Sequence, residues 1–248
     1  MSEGRQASPR QQHRLLRWLG LGALLLSLLA CASGPQASPH DPLEPFNRGV
    51  FKFNDALDVA VVKPVAVAYR DHTPTRLRQG ITNVFDNLED VWSTVNNALQ
   101  LKGRSAADSL ARVVVNTLLG IGGVIDVASE MAIERHTKDF GHTLGFWGVP
   151  AGPYLVLPLL GPSSLRDTVA LPVDWQGDLV TQIGHVPTRN TSVVVRAIDT
   201  RADLLKATSM LDDVALDRYT FTRDAYLQRR RNDIFDGNPP EDAAPPAQ

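Results

Sequence analysis

The sequence has 248 residues, enough for one domain or two small ones, and at 43% hydrophobic and 21% charged it is globular rather than disordered. Net charge is −2; without residues 1–30, which hold four arginines against Glu3, the remainder carries 21 basic and 26 acidic groups, net −5, a balance that argues against nucleic acid, which wants a basic face. One cysteine, Cys31, excludes an internal disulfide and a multi-cysteine metal site.

Residues 1–17 are polar and hold Arg5, Arg10, Arg14 and Arg17; residues 18–30 form an apolar run of signal-peptide length, too short to span a bilayer as a stable helix. Leu28-Leu29-Ala30-Cys31 resembles the lipobox of bacterial lipoproteins, in which a small residue precedes a cysteine that becomes lipidated and N-terminal. Leu29 is bulkier than that motif prefers. The reading makes 1–30 a lipoprotein signal peptide, Cys31 the lipid-attachment site and 31–40 a flexible tether. Ala32, rather than aspartate, after the cysteine suits sorting to the outer membrane, where each buried methylene of an acyl chain such as palmitate adds about 0.8 kcal/mol of anchoring.

From Asp41 the pattern is helical. Asp41 and Glu44 read as a capping box with Pro42 at the first position, and Phe46, Val50, Phe53 and Leu57 share one face. Residues 59–69 are apolar except Lys63, with Pro64 expected to break or kink the helix. Two readings stay open there: a core helix with a snorkelling lysine, or helices lying within one leaflet.

Residues 73–101 carry the clearest helix, with Thr73 as its expected cap and Leu77, Ile81, Val84, Phe85, Leu88, Val91, Trp92, Val95 and Leu99 in one stripe. The opposite face holds neutral polar groups, among them Asn83, Asn87 and Asn97. That face suits either an ordinary amphipathic helix or a wet passage for zwitterionic head groups. Ser105 and Asp108 read as a second capping box, Leu110 to Leu118 as the next stripe, and Gly120-Ile121-Gly122-Gly123 as its stop. The glycine cluster follows a helix and lacks the dinucleotide spacing, so no phosphate loop is expected. His136, Asp139 and His142 recur every three residues, a step that spreads them around a helix and argues against a metal.

Residues 143–165 hold no charge, yet Gly145, Gly148, Gly152 and a set of prolines interrupt them throughout. A spanning helix needs roughly 20 unbroken residues, so the expectation is a bent apolar hairpin packed on protein and touching lipid or an oily cavity, against the plainer reading of a buried crossover. Beyond it, a helix starts at Ser164 and is expected to end at Pro172–Trp175; 176–188 read as a loop or short helix; 189–207 read as a charged surface helix. The last helix runs about 212–235, with Arg229, Arg230 and Arg231 favouring its dipole, and 237–248 read as a disordered tail. Almost no sheet is expected. Nucleophile elbow and Walker loop are both missing; Ser163 and Ser164 would need a base such as His142 or His185.

Taken together, DPLEPFNRGVFKFN (41–54), KPVAVAYRD (63–71), NVFDNLEDVWSTVNNALQ (83–100), RVVVNTLLGIGGVIDVAS (112–129), the block at 140–167, DTRADLL (199–205) and RDAYLQRR (223–230) resemble the MlaA (VacJ) lipoproteins. The resemblance implies an all-α, ring-like bundle of amphipathic helices over 41–236, embedded in one leaflet of the outer membrane. It implies a passive channel that removes mislocalised phospholipid from the outer leaflet and hands it to a soluble periplasmic carrier (MlaC-like), with trimeric porins as membrane partners. No catalytic residue or cofactor carries over. Gly145, Gly148 and Gly152, with Asn83, Asn87 and Asn97, become candidates for the hinge and wall of the lipid path. The competing classes are a lipid-anchored phospholipase or esterase, and a lipoprotein scaffold that moves nothing.

Overall fold

The computed structural model describes residues 41–240, so the expected signal peptide, the tether with Cys31 and the end of the tail lie outside the described residues. Helix α1 (Glu44–Leu57) passes through one π turn (Asp58–Val62) into α2 (Lys63–His72). Pro64 explains the turn. It has no N–H to give a carbonyl four residues back, and the widened turn, closed by the Lys63 N–H on the Asp58 carbonyl, carries the chain past it without a break.

Helix α3 (Thr75–Leu99) follows Pro74, and α4 (Gly103–Leu118) follows Lys102; neither has a side-chain cap. The expected caps at Asp41, Thr73 and Ser105 therefore do not form. Asp41 is fully buried instead and accepts from the Tyr219 hydroxyl and, at 3.2 Å, from Asn47. Asp108 meets His136. Side-chain caps form instead at Asp126 for α5 (Val127–Glu130), at Asp139 and His142 reciprocally for α6 (Phe140–Phe146), and at Ser164 for α7 (Leu165–Gly177). Helix α7 runs through Pro172 rather than ending there, and stops where Gly177 lies against the Trp92 ring. Helices α8 (Val186–Val214) and α9 (Arg218–Ile234) complete the chain, α8 extending beyond the expected 189–207 at both ends.

The expected hairpin is a pair of four-residue antiparallel strands, β1 (Tyr154–Leu157) and β2 (Gly161–Ser164), with Tyr154 opposite Ser164. The free edge of β1 is closed by side chains. Asn47 donates to the Tyr154 carbonyl and accepts from Val156 N–H; Asn54, two turns along α1, does the same with Leu157 and Leu159.

Element contacts close on themselves. The α1–α2 rod meets α8, α8 meets α3, α3 meets α6, α6 meets α7 and α9, α9 meets β2, and β1 returns to α1. This is a ring of helices with α4 packed along α3. Its polarity is inverted. Among the described residues, 10 hydrophobic side chains are buried against 19 polar or charged ones, while 35 large hydrophobic side chains are exposed. On α3 the buried positions are Gly80, Asn87, Asp90, Ser93, Asn96 and Asn97, and Leu77, Val95 and Leu99 face outward. On α1, Phe46 and Phe53 are exposed and Asn47 is buried. Water drives the opposite arrangement, so this surface is suited to contact with lipid or with other protein. No helix among the described residues is long and apolar enough to cross a membrane.

Candidate functional site

Two charge networks hold the polar interior. In the first, Arg112, 3% exposed, uses every donor of its guanidinium. Nε binds Asp90 at 3.1 Å, Nη1 binds the Ser129 hydroxyl and the Ile133 carbonyl, and Nη2 binds both oxygens of Asp126 at 3.0 Å. Asp90 also receives Arg135 at 2.9 Å. Burial raises the Asp126 carboxyl, but bonds from Ser129, Asn116 and Arg112 outweigh it and bring it down to about 2.

In the second network, Arg230 of α9 bridges Asp139 and Asp167, tying α6 to α7, and Tyr226 donates to Asp167 at 2.6 Å. Arg230 thus works inside the protein and not as a partner of its helix dipole. Burial pushes the Asp139 carboxyl up, and bonds from His142 and Arg230 more than reverse it, leaving it well below the usual carboxylate range.

Acid should loosen both networks. Groups depressed in the folded state stabilise it above their unfolded value of 3.8 and lose that contribution as pH falls toward the folded value. Asp86 and Asp174, raised by burial, act in the opposite sense and temper the loss. The melting midpoint in detergent micelles is expected to hold from about pH 7 to 5 and to drop between about pH 4 and 2. A flat midpoint over the lower interval would count against the networks.

The candidate lipid-path residues fall in two places. Asn97 is fully buried, donating to the carbonyls of Ser93 and His136, and Asn87 binds Thr117 across the α3–α4 seam. Asn83 binds the Val124 carbonyl and lines a polar pocket of about 310 Å³ with Arg78, Gln79, Thr82 and Asp203. On the other face of α3, an apolar groove of about 330 Å³ is lined by Leu77, Ile81, Val84, Phe85 and Val195. Gly145, in the last turn of α6, and Gly148 and Gly152, between α6 and β1, lie apart from these. A Cβ at Gly145 would come within 2.5 Å of Ile234 and 2.7 Å of Arg166, and Gly148 and Gly152 have φ of +90° and +68°, conformations that favour glycine.

The remaining candidates resolve as structure-holding groups. Ser163 bonds Thr168, Ser164 caps α7, His142 sits in the Asp139 capping box, and His185 bonds Thr188. His136, Asp139 and His142 do not converge, and among the described residues no group of three His, Cys, Asp or Glu is placed to hold a metal ion. The supposed charged surface of α8 is largely paired: Asp199 is buried between Tyr69 and Thr82, and Arg201 grips Asp58. Sequence reading overlooked Arg112, a lone charge immediately before Val113-Val114-Val115. That placement is its one signal.

A family model described as MlaA lipoprotein matches residues 39–233, a span that takes in every element from α1 to the end of α9 but its last residue. The chain belongs to that family. It is 38% identical over 215 residues to the intermembrane phospholipid transport system lipoprotein MlaA of Escherichia coli (strain K12), with 85% of each chain covered. It is 32% identical over 234 residues to the protein of the same name in Haemophilus influenzae, covering 88% of this chain and 90% of the relative. A solved chain from work on the structural basis for maintenance of bacterial outer membrane lipid asymmetry matches with a TM-score of 0.69 at 39% identity, covering 80% of this chain and 99% of that one. The ring described above is thus the MlaA fold.

Proposed function

We propose that the protein is an outer-membrane lipoprotein of the cell envelope, anchored through Cys31, that transports phospholipid between membranes and so maintains lipid asymmetry. It acts as a passive channel: phospholipid misplaced in the outer leaflet enters the ring and leaves to a soluble periplasmic carrier, and a trimeric porin holds the ring in place. The inverted polarity carries the reading. A ring with oil-compatible stripes outside and amides, hydroxyls and ion pairs inside can sit at the depth of one leaflet without spanning it. Lifting a phospholipid out bare would expose its methylenes at about 0.8 kcal/mol each, so a path that keeps tails in oil and the head in a polar lining lowers that barrier. Asn83 is the path candidate that lines a pocket, and Gly145, Gly148 and Gly152 are the hinge candidates. Against an esterase, the bonds of Ser163 and Ser164 run to Thr168 and to backbone rather than to a histidine.

The test is lipid exchange between vesicles holding the lipidated protein and a soluble periplasmic carrier. Transfer is expected to exceed that from protein-free vesicles without ATP, and brominated acyl chains are expected to quench the exposed Trp147 and Trp175. Cys31→Ala should remove anchoring and transfer together. Transfer no faster than from bare vesicles would refute the reading.

A further inference from the structure

The polar pocket between the first half of α3 and α8 contains two full charges of opposite sign, Arg78 and Asp203. Among the described residues, no hydrogen bond or ion pair engages the Arg78 guanidinium, and its Nε is buried without a partner. Asp203 is exposed, and it too has no bonded partner. Burial and the charge of Asp199 push the Asp203 carboxyl up, and the charge of Arg78 offsets this only in part, without the two pairing. The neighbouring acid cannot take the arginine: Asp199 already accepts from Tyr69 on one oxygen and from Thr82 on the other, both at 2.8 Å. Elsewhere in the interior the guanidiniums of Arg112, Arg135, Arg201 and Arg230 are all matched to carboxylates. Arg78 is the exception, and it opens into a cavity of about 310 Å³.

A cation and an anion held apart in one pocket complement a zwitterion whose own charges are fixed apart. We propose that this pocket binds the phosphate–ammonium head group of an ethanolamine-type phospholipid, with Arg78 taking the phosphate oxygens and Asp203 the ammonium. The guanidinium fork matches two phosphate oxygens at once, and the carboxylate accepts from the ammonium. Thr75, Gln79 and Asn83 supply neutral polar groups around the pair. The apolar groove on the opposite face of α3 places a hydrocarbon environment within about one helix diameter, roughly 10 Å, of the head-group site. The inference rests on the transport reading and adds to it the lipid class that the path prefers.

The test uses the full lipidated protein in vesicles of equal phosphatidylethanolamine and phosphatidylglycerol, with the carrier as acceptor, and calorimetric titration of the same protein in micelles with glycerophosphoethanolamine and glycerophosphoglycerol. Glycerophosphoethanolamine is expected to bind the tighter. Arg78→Gln should weaken both ligands about tenfold, as the loss of a charge-assisted bond implies. Asp203→Asn should bring glycerophosphoethanolamine to the affinity of glycerophosphoglycerol and leave the latter unchanged. Neither residue is in an ion pair, so both variants should melt with the unaltered protein, and melting curves check this. Equal binding of the two ligands by the unaltered protein, no binding of either, or full binding by folded Arg78→Gln overturns the proposal. Brisk transfer without head-group discrimination would sink the preference and leave the transport reading intact; no transfer by the unaltered protein would sink the transport reading itself.

Discussion

Replacing Arg112 with alanine is expected to lower stability by about 3–5 kcal/mol, the cost of leaving a buried charge uncompensated. Asp90 is 1% exposed and would keep only Arg135; Asp126, the Ser129 hydroxyl and the Ile133 carbonyl would each lose a donor. Arg112→Lys preserves the charge but cannot reproduce a fork reaching Asp90, Asp126, Ser129 and Ile133 together, so it should recover only part of the loss. Chemical unfolding in micelles measures both. Equal stabilities for Arg112→Ala and the parent would show that the interior does not depend on this hub. Leucine in place of Asp90 in the alanine background removes a buried carboxylate left with Arg135 alone, and a partial return of stability would assign the loss to that charge and not to a vacated volume.

The second large effect concerns the outside. Leu118 and Ile121, at the end of α4 and the turn after it, are 75% and 72% exposed. In water, lysine at both should cost the fold almost nothing. In lipid, each charge placed on the hydrocarbon face costs about 2–4 kcal/mol near the midplane and less toward the interface. The double variant is expected to melt like the parent in micelles, to lose much of its lipid transfer in vesicles, and to show weaker quenching by brominated acyl chains. Unimpaired quenching and transfer would mean that this end of α4 faces water or another protein chain.

The contrast between these two experiments also shows what the residue pattern conveyed. Periodicity placed α3 within two residues of its start and end, because a stripe of apolar side chains over seven turns has one geometric solution. The same stripe is silent about which medium it meets. Leu77, Val95 and Leu99 read equally well as core, and it is their exposure beside buried Asn96 and Asn97 that inverts the picture. Caps failed for a different reason. Asp41 has the right residue type and spacing, but Tyr219 competes for its carboxylate from 178 residues away, a contact no local window contains. Arg230 was assigned to its helix end by the same local logic, and tertiary partners in α6 and α7 claimed it. Pro172 does not end its helix, and Pro64 produces a π turn rather than a full break, since a helix can absorb one missing donor. The hairpin, only four residues per strand, is too brief for alternation to register, and its free edge is bonded by the side chains of Asn47 and Asn54, far away in sequence.

An interior built from amides and ion pairs also changes how the molecule answers to its surroundings. Attraction between the buried charges grows as the dielectric constant around them falls, while the outward leucines and valines gain nothing from being wetted. Moving from an aqueous compartment into hydrocarbon should therefore tighten the fold, raising its rigidity where most water-borne proteins would come apart.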